Sequence, residues 1–388
     1  MRRVVVLLLA VWGGAPVVAR AQSSQFGVRG LGLPGRASSA HTLGLGGAFG
    51  LFDAESSLNP AALGSLAQTT SLFTSSASWR KSQNPAGSAS ASDARFPQIL
   101  VGGPIPKTPL AVGISYSTYA DRDFTLVSSG VASPRGVPVK VTDTLTSLGG
   151  INDLRLAVAY VVTPRVLFGA GLHFLTGSNR LLSRRAWEDT SYLATAERAE
   201  LSYQGVGFSA GVLLHPANGL AIAGTIRQDG KLDVERDSSS TTTGTIKLPL
   251  TLSGAVRLRV HSGVELTGGV TRRNWSSADA GLREEGAVGA SNTFEATGGL
   301  ELLRNRRRPT QMPLRLGVRY AELPFLLTRG TQPKEWGVSV GTGFRFSGDR
   351  GGIDLALERF QRKQGSDYRE SGWVFTVGIS VRSAGFRP

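Results

Sequence analysis

Arginines recur at alternate positions in several extended-looking segments of this sequence, and acidic residues occur in neighbouring segments. Arg315 and Arg319 are an even number of residues apart, so in a strand their side chains point to the same face. A guanidinium group binds a carboxylate through two parallel hydrogen bonds. Two uses follow: a structural network of arginines and carboxylates, or binding of a ligand's carboxylate, for which Arg315 and Arg319 are the first candidates and Arg257 the next. The same face is predicted to carry ten charged or titratable side chains: Arg155, Arg257, Arg259, Arg315, Arg319, Arg345, His173, Glu265, Asp354 and Glu358.

Residues suited to catalysis or metal binding are sparse. The chain has no cysteine and only four histidines, His41, His173, His215 and His261, none of which has the spacing of a zinc site. A serine hydrolase would need a histidine with a nearby serine, and His173 is the one residue we considered for it, far behind a non-enzymatic role. We therefore predict no catalytic residues, no metal site and no cofactor.

The elements that carry these side chains are about fourteen segments in which apolar residues alternate with small or polar ones. In the last segment Trp373, Phe375 and Ile379 fall on one face, and Thr376 and Gly378 on the other. Such alternation suits a strand with lipid on one side and a lumen on the other, although a soluble sandwich also alternates. The predicted strands cover residues 69–80, 96–103, 109–119, 152–162, 166–177, 200–214, 220–228, 248–260, 263–275, 292–303, 312–320, 334–346, 352–361 and 372–382.

The N-terminus distinguishes a membrane barrel from a soluble sandwich. Arg2 and Arg3 precede a short apolar run, and Ala19 and Ala21 are small residues placed as at a signal-peptidase site, so residues 1–21 are predicted to be a cleaved export signal. No later run of about 18 apolar residues could form a membrane helix. The sequence therefore predicts an all-β fold, a transmembrane antiparallel β-barrel of about 14 strands at residues 67–388, in the outer membrane of a Gram-negative type of cell.

The connectors between the predicted strands alternate between long and short. Long connectors such as 120–151 and 178–199 belong outside the cell, and short ones such as 163–165 belong in the periplasm. Both ends of the barrel domain, the start of its first strand and the end of its last strand, are then predicted to be periplasmic.

Residues 22–66 do not follow the barrel pattern and are predicted to form an N-terminal hatch, or plug, containing short helices, rather than a flexible linker. Gly46 and Gly47 would permit a close approach to the wall or to cargo. Asn59 and Pro60 suit the start of a short helix that continues through Ala61 and fixes the hatch against the first strand.

The run from Ala40 to Leu66, with its Gly-Gly-Ala-Phe, Asp53, Glu55 and Asn-Pro-Ala, resembles the hatch of the FadL/TodX family of outer-membrane hydrocarbon transporters. The Pro-Leu-Arg-Leu-Gly run that begins at Pro313 is similar to a strand of that family. The resemblance implies a fourteen-stranded barrel that passes long-chain fatty acids through a hatch rearrangement and a gap in the wall. PorV-like relatives, which serve protein secretion, share these patterns.

Two functions therefore remain open: passive uptake of hydrophobic or amphipathic small molecules, or a docking and shuttle role with secretion-system proteins. Apolar residues in an outer loop would favour uptake by forming a cargo groove; they are Leu181, Leu182, Trp187, Tyr192 and Leu193. The net charge of +15 suggests contacts with outer-membrane lipid and lipopolysaccharide, including a basic cluster at 304–308, because export argues against nucleic acid.

Overall fold

The structure is a computed structural model of the chain, and it describes residues 24–236, 242–284, 289–303 and 312–383. The predicted signal at 1–21 and the basic cluster at 304–308 lie outside the described residues.

The described chain forms a single antiparallel sheet. Fourteen of its strands form the barrel wall, which confirms the predicted fold class; β1, β5 and β10 add to the edges of β4, β6 and β9. The strands are β1 (Leu33–Pro34), β2 (Thr70–Asn84), β3 (Gly87–Pro104), β4 (Leu110–Asp121), β5 (Phe124–Ala132), β6 (Val139–Thr163), β7 (Val166–Trp187), β8 (Thr195–Ala217), β9 (Leu220–Arg236), β10 (Thr242–Lys247), β11 (Leu250–His261), β12 (Val264–Arg273), β13 (Thr293–Leu302), β14 (Leu314–Glu322), β15 (Lys334–Phe346), β16 (Gly351–Gln364) and β17 (Tyr368–Arg382). Two short α-helices, α1 (Ala40–Gly44) and α2 (Asp279–Glu284), and 3-10 turns at Gln25–Gly27, Pro60–Ser65, Pro134–Gly136 and Trp275–Ala278 complete it.

The wall closes where its last strand pairs with its first. β17 pairs with β2 from Arg369 opposite Gln83 to Arg382 opposite Thr70. Closure gives every wall strand a hydrogen-bonded neighbour on both sides, which a sheet surrounded by lipid requires. Because β2 begins and β17 ends at the same end of the barrel, we call that end the base and the opposite end the rim.

The two faces of each wall strand differ as the alternation predicts. On β17, Trp373, Ile379 and Val381 are exposed, whereas Thr376 and Ser380 are buried. The large apolar side chains thus form the outer surface, and small and polar ones face the lumen. None of the described helices is long and apolar enough to cross a membrane.

Several strands run much further towards the rim than the sequence predicts. β6, β7 and β8 have 25, 22 and 23 residues, whereas β13 and β14 have 10 and 9. Since about 9–11 residues cross a bilayer in a barrel strand, the longer strands continue well beyond it. The prediction of long loops at 120–151 and 178–199 is therefore wrong, since these residues are largely in strands. The hydrogen bonds between strands come from the backbone, so strands outside the membrane tolerate polar side chains on both faces.

Residues 24–66, the N-terminal segment, run through the lumen from rim to base. At the rim, Ser24 donates a hydrogen bond to Glu370 (2.8 Å). Lower down, Leu33 and Pro34 pair with the end of β4, and the segment reaches β2 at the base. The first described residues of the chain therefore lie at the end of the barrel opposite to the start of β2.

The outward-facing apolar surface makes a prediction about stability. Val318 lies on the short strand β14 and is 55% exposed, so Val318→Arg would place a charge against lipid and lower the free energy of unfolding by about 2–4 kcal/mol. The control is Val131→Arg on β5, where the valine is 66% exposed but outside the ring of wall strands; its expected change is below about 0.5 kcal/mol. Urea unfolding in lipid vesicles measures both, and equal effects would contradict the assignment of the outer face.

Candidate functional site

The N-terminal segment is folded around one carboxylate. Asp53 accepts hydrogen bonds from the hydroxyls of Thr42 (2.8 Å) and Ser56 (2.8 Å), from the hydroxyl of Ser39, and from the backbone N–H of Glu55 (2.9 Å). Ser39 is also the N-cap of α1, where its hydroxyl accepts from the Thr42 N–H. A buried carboxylate with four donors is satisfied, so Asp53 joins the short helix to the loop that follows it.

Glycines allow this segment to touch the wall backbone to backbone. Gly46 has φ of +68°, and a Cβ there would lie 2.7 Å from the carbonyl oxygen of Val318. On the wall side, a Cβ at Gly317 would lie 2.0 Å from the Gly46 nitrogen. Gly47 differs: its φ of +96° favours glycine, but a Cβ there would make only ordinary van der Waals contact with the Thr297 methyl, at 3.5 Å.

Asn59 and Pro60 fix the lower part of the segment. The Asn59 side chain accepts from the Ala61 N–H (3.0 Å) and donates to the carbonyls of Leu51 (2.8 Å) and Val212 (3.3 Å). Pro60 then begins the 3-10 turn. This turn packs mainly on β6, β7 and β8 rather than on the first wall strand, which corrects the predicted contact.

The two arginines first considered for ligand binding are already paired. Arg315 donates to Glu301 (2.8 Å) and Asp354 (2.7 Å), and Arg319 donates to Glu295 (2.9 Å) and to Glu335. The structural network is therefore present in this half of the barrel. Their use by a ligand carboxylate stays a prediction, and it would require one of these ion pairs to break.

The same network holds the N-terminal segment. Arg36 pairs with Glu358, His41 with Glu301 (2.9 Å) and Glu55 with Arg382 (2.8 Å). Burial raises the pKa of the Glu55 carboxyl, and the neighbouring Asp53 raises it further. Glu55 therefore takes up a proton at a higher pH than an ordinary glutamate, which removes its charge attraction to Arg382.

The segment lies between two cavities. The upper cavity, of about 330 Å³, opens towards the rim between the segment and the wall, and its lining includes Leu43, Leu51, Tyr119 and Trp275. The lower cavity, of about 280 Å³, lies at the base and is lined by charged side chains, among them Arg257, Arg345 and Arg382.

Arg257 is the one of the three candidate arginines without a carboxylate at hydrogen-bonding distance in the part of the chain that the structure describes. Its guanidinium instead lies over the rings of Phe49 and Phe52, at 5.5 Å from each centroid. Both phenylalanines belong to the N-terminal segment, so this cation–π contact links the segment to β11.

The predicted outer-loop groove does not form as one surface. Leu181, Leu182 and Trp187 lie on β7, and Leu181 and Leu182 are consecutive, so they point to opposite faces of the strand. Trp187 contacts Tyr192, with ring centroids 5.1 Å apart, and Leu193 is 88% exposed. The prediction assumed a loop, whereas three of these residues lie on a strand; their use in binding cargo stays a prediction.

The wall of the upper cavity carries a polar cluster that was not predicted from the sequence. Asp153, His173 and Ser209 lie on three successive wall strands and are hydrogen-bonded to one another. The alternation along each strand places all three side chains on the lumen face, and this is the part of the cluster that the sequence could indicate. Their hydrogen bonds to one another depend on strand register, which a single sequence does not fix. No group of acidic or histidine side chains able to hold a metal ion is found among the described residues.

A closed fourteen-stranded wall, an apolar outer face and a lumen crossed by the N-terminal segment define the class of outer-membrane barrels built like FadL and TodX. Solved structures agree in fold: a Pseudomonas aeruginosa FadL homologue (TM-score 0.63, 14% identity, 90% of this chain and 99% of that one), the Pseudomonas putida toluene transporter TodX (0.57, 14%, 90% and 99%) and the CymD monoaromatic hydrocarbon channel (0.54, 15%, 92% and 99%).

Within this class, the chain belongs to the BamG family, whose model matches residues 1–246. No curated protein matches the sequence.

The contact at Gly46 makes a prediction about the N-terminal segment. Gly46→Ala puts a Cβ within 2.8 Å of the Val318 backbone at a left-handed φ, so the segment must shift away from the wall. We expect hydrogen exchange over residues 40–50 to rise at least tenfold while the wall strands keep their protection. Gly130→Ala on β5, where a Cβ meets nothing within 4 Å, is the control and should leave the exchange unchanged. Unchanged exchange in Gly46→Ala would contradict the close contact.

Proposed function

We propose that this protein is an outer-membrane channel for passive uptake of hydrophobic or amphipathic small molecules, with the base of the barrel in the periplasm and the rim outside the cell. The fold of the barrel, and the printed functions of the structurally similar FadL homologue, toluene transporter and monoaromatic hydrocarbon channel, support this proposal.

One observation carries the proposal: the N-terminal segment lies across the lumen between an upper and a lower cavity. A molecule that enters the upper cavity reaches the base only if the segment moves. Around Gly46 the segment is held by polar contacts and by glycine contacts with the wall at Val318, which separate more easily than the apolar packing of Leu51, Phe52 and Leu63 further along the segment. The segment therefore acts as a hatch.

The cargo is proposed from the lining. Leucines and aromatic rings of the upper cavity suit an apolar molecule or an acyl tail. The lower cavity adds Arg257, whose charge has no carboxylate partner among the described residues and can receive the carboxylate of an amphipathic cargo. Long-chain fatty acids fit both requirements.

Fixing the hatch to the wall should stop transport. A Cβ at Gly378 would lie 3.1 Å from the Cβ of Ala40, close to the roughly 3.5–4.5 Å of a disulfide, and the chain has no other cysteine. Cells that lack their own fatty-acid channel and express Ala40→Cys/Gly378→Cys should lose uptake of labelled oleate when oxidised and regain it with reductant. Each single cysteine variant is the control. Full uptake by the oxidised double variant would contradict hatch movement.

Arg257 should distinguish charged from uncharged cargo. Arg257→Gln removes a charge-assisted hydrogen bond worth about 1.5–3 kcal/mol, so oleate uptake should fall about tenfold or more, whereas toluene uptake stays unchanged. The control is Arg259→Gln, because Arg259 is exposed and already paired with Glu265 (2.7 Å). An equal loss for both cargoes would indicate a structural role for Arg257.

A docking role is the second candidate, and the strand extensions favour it. β5 to β10 form a sheet at the rim that carries exposed apolar side chains, including Val127, Val131 and Leu193. If docking is the function, shortening the β7–β8 extension abolishes capture of a specific exported protein and leaves oleate uptake intact. Loss of uptake with no change in bound proteins would instead support the channel.

A further inference from the structure

Three side chains in the wall of the upper cavity form a hydrogen-bonded chain of carboxylate, imidazole and hydroxyl. The Nδ1 atom of His173 lies 2.9 and 3.0 Å from the two carboxylate oxygens of Asp153, and its Nε2 atom lies 2.8 Å from the Ser209 hydroxyl. An ionised carboxylate only accepts hydrogen bonds, so Nδ1 carries the proton. Nε2 of the neutral ring is then free to accept the Ser209 proton, which is the arrangement a serine nucleophile needs.

Adjacent strands hold this chain of residues rigidly. Asp153 lies on β6, His173 on β7 and Ser209 on β8, and all three face the upper cavity. Ser209 is directly opposite Gly171, where a Cβ would lie 2.6 Å from the Ser209 oxygen. The absence of a side chain at Gly171 therefore makes room for the serine to reach His173. Asp153 is fixed in turn by Arg227, whose Nη1 donates to it (2.7 Å).

A buried cation without a partner lies beside these residues. Arg155 is opposite His173 in the strand register and is 2% exposed, yet its Nε and Nη1 atoms have no hydrogen-bond partner among the described residues. Burying an unpaired guanidinium costs several kcal/mol. Its Cδ lies against the same Gly171 position as the Ser209 hydroxyl, at 3.6 Å from a Cβ built there. The unpaired donors suit a negative charge that develops during a reaction at Ser209.

We propose that Ser209, His173 and Arg155 hydrolyse carboxylic esters that enter the upper cavity, with Asp153 as a positioning residue. Ser209 Oγ forms a bond to the ester carbonyl carbon while His173 Nε2 takes its proton, and Arg155 stabilises the oxyanion. The carbon–oxygen bond to the alcohol breaks as His173 returns the proton to the leaving oxygen. Water then attacks the acyl carbon and loses a proton to His173; the bond from that carbon to Ser209 Oγ breaks as His173 returns the proton to Oγ, which releases the acid and regenerates the serine hydroxyl.

The cavity limits the substrate. About 330 Å³, lined by leucines and aromatic rings as well as by charged side chains, accommodates an ester with a short or medium acyl chain. The activity is separate from the proposed channel, because it needs entry from the rim only and no movement of the hatch. The esterase proposal can therefore be refuted while the transport proposal holds, and the transport proposal can be refuted while the esterase proposal holds.

The test uses the full barrel in detergent and needs no variant for its first step. A fluorophosphonate probe should add one label to the intact mass, and peptide mapping should place it on Ser209. The barrel should also hydrolyse p-nitrophenyl butyrate at least tenfold faster than the Ser209→Ala variant. Absence of a label on Ser209 in the unmodified, folded barrel would overturn the proposal, whatever the variants do.

Variants separate catalysis from structure. His173→Gln should abolish both labelling and turnover, whereas Ser253→Ala, a serine that lines the same cavity and bonds to Thr271 instead of a histidine, should leave both unchanged. Arg155→Met should lower turnover by about 10²-fold and should not reduce resistance to urea, because the buried charge has no partner to lose. Labelling that persists in His173→Gln would contradict the assigned base, and full turnover in Arg155→Met would contradict the oxyanion role.

Discussion

Closure of the sheet is the constraint on which the rest of this structure depends. A strand facing lipid must have all its backbone hydrogen bonds satisfied by neighbours, and the pairing of β17 with β2 meets this condition around the whole wall. Closure also creates an interior with no access to the bilayer, and this interior can hold charged side chains. The alternation along each strand then follows: apolar residues such as Trp373 face outward, and polar ones such as Thr376 face the lumen.

The two sides of the barrel wall present different sets of charged side chains to the lumen. On the side of β13 to β17, arginines and carboxylates pair with each other and with the N-terminal segment through Arg36, His41 and Glu55. On the side of β6 to β9, Arg155 is buried beside the hydrogen-bonded His173 and Ser209, and its Nε and Nη1 atoms have no hydrogen-bond partner in the described part of the chain. The first side holds the segment by ion pairs, and the second side holds the 3-10 turn of the segment mainly by packing.

Much of the fold could be predicted from the sequence, because alternation is a local property of each strand. It yields the number of wall strands and, on a strand such as β17, which side chains face outward and which face the lumen. Alternation does not predict the strand extensions at the rim, such as the part of β7 that contains Leu181 and Leu182, because no apolar pattern marks them. It also fails for contacts that depend on register between strands, such as the pairing of Arg315 with Asp354 and of His173 with Ser209, because a one-residue shift would break them.

The central claim is that apolar molecules occupy the lumen beside the N-terminal segment. Native mass spectrometry of the detergent-purified barrel, combined with lipid extraction, tests this most directly. The account predicts a fatty acid or another hydrocarbon bound at about one molecule per barrel, released when the detergent is exchanged for one with a competing acyl chain. An empty barrel that copurifies with a protein partner would contradict the channel and support the docking role.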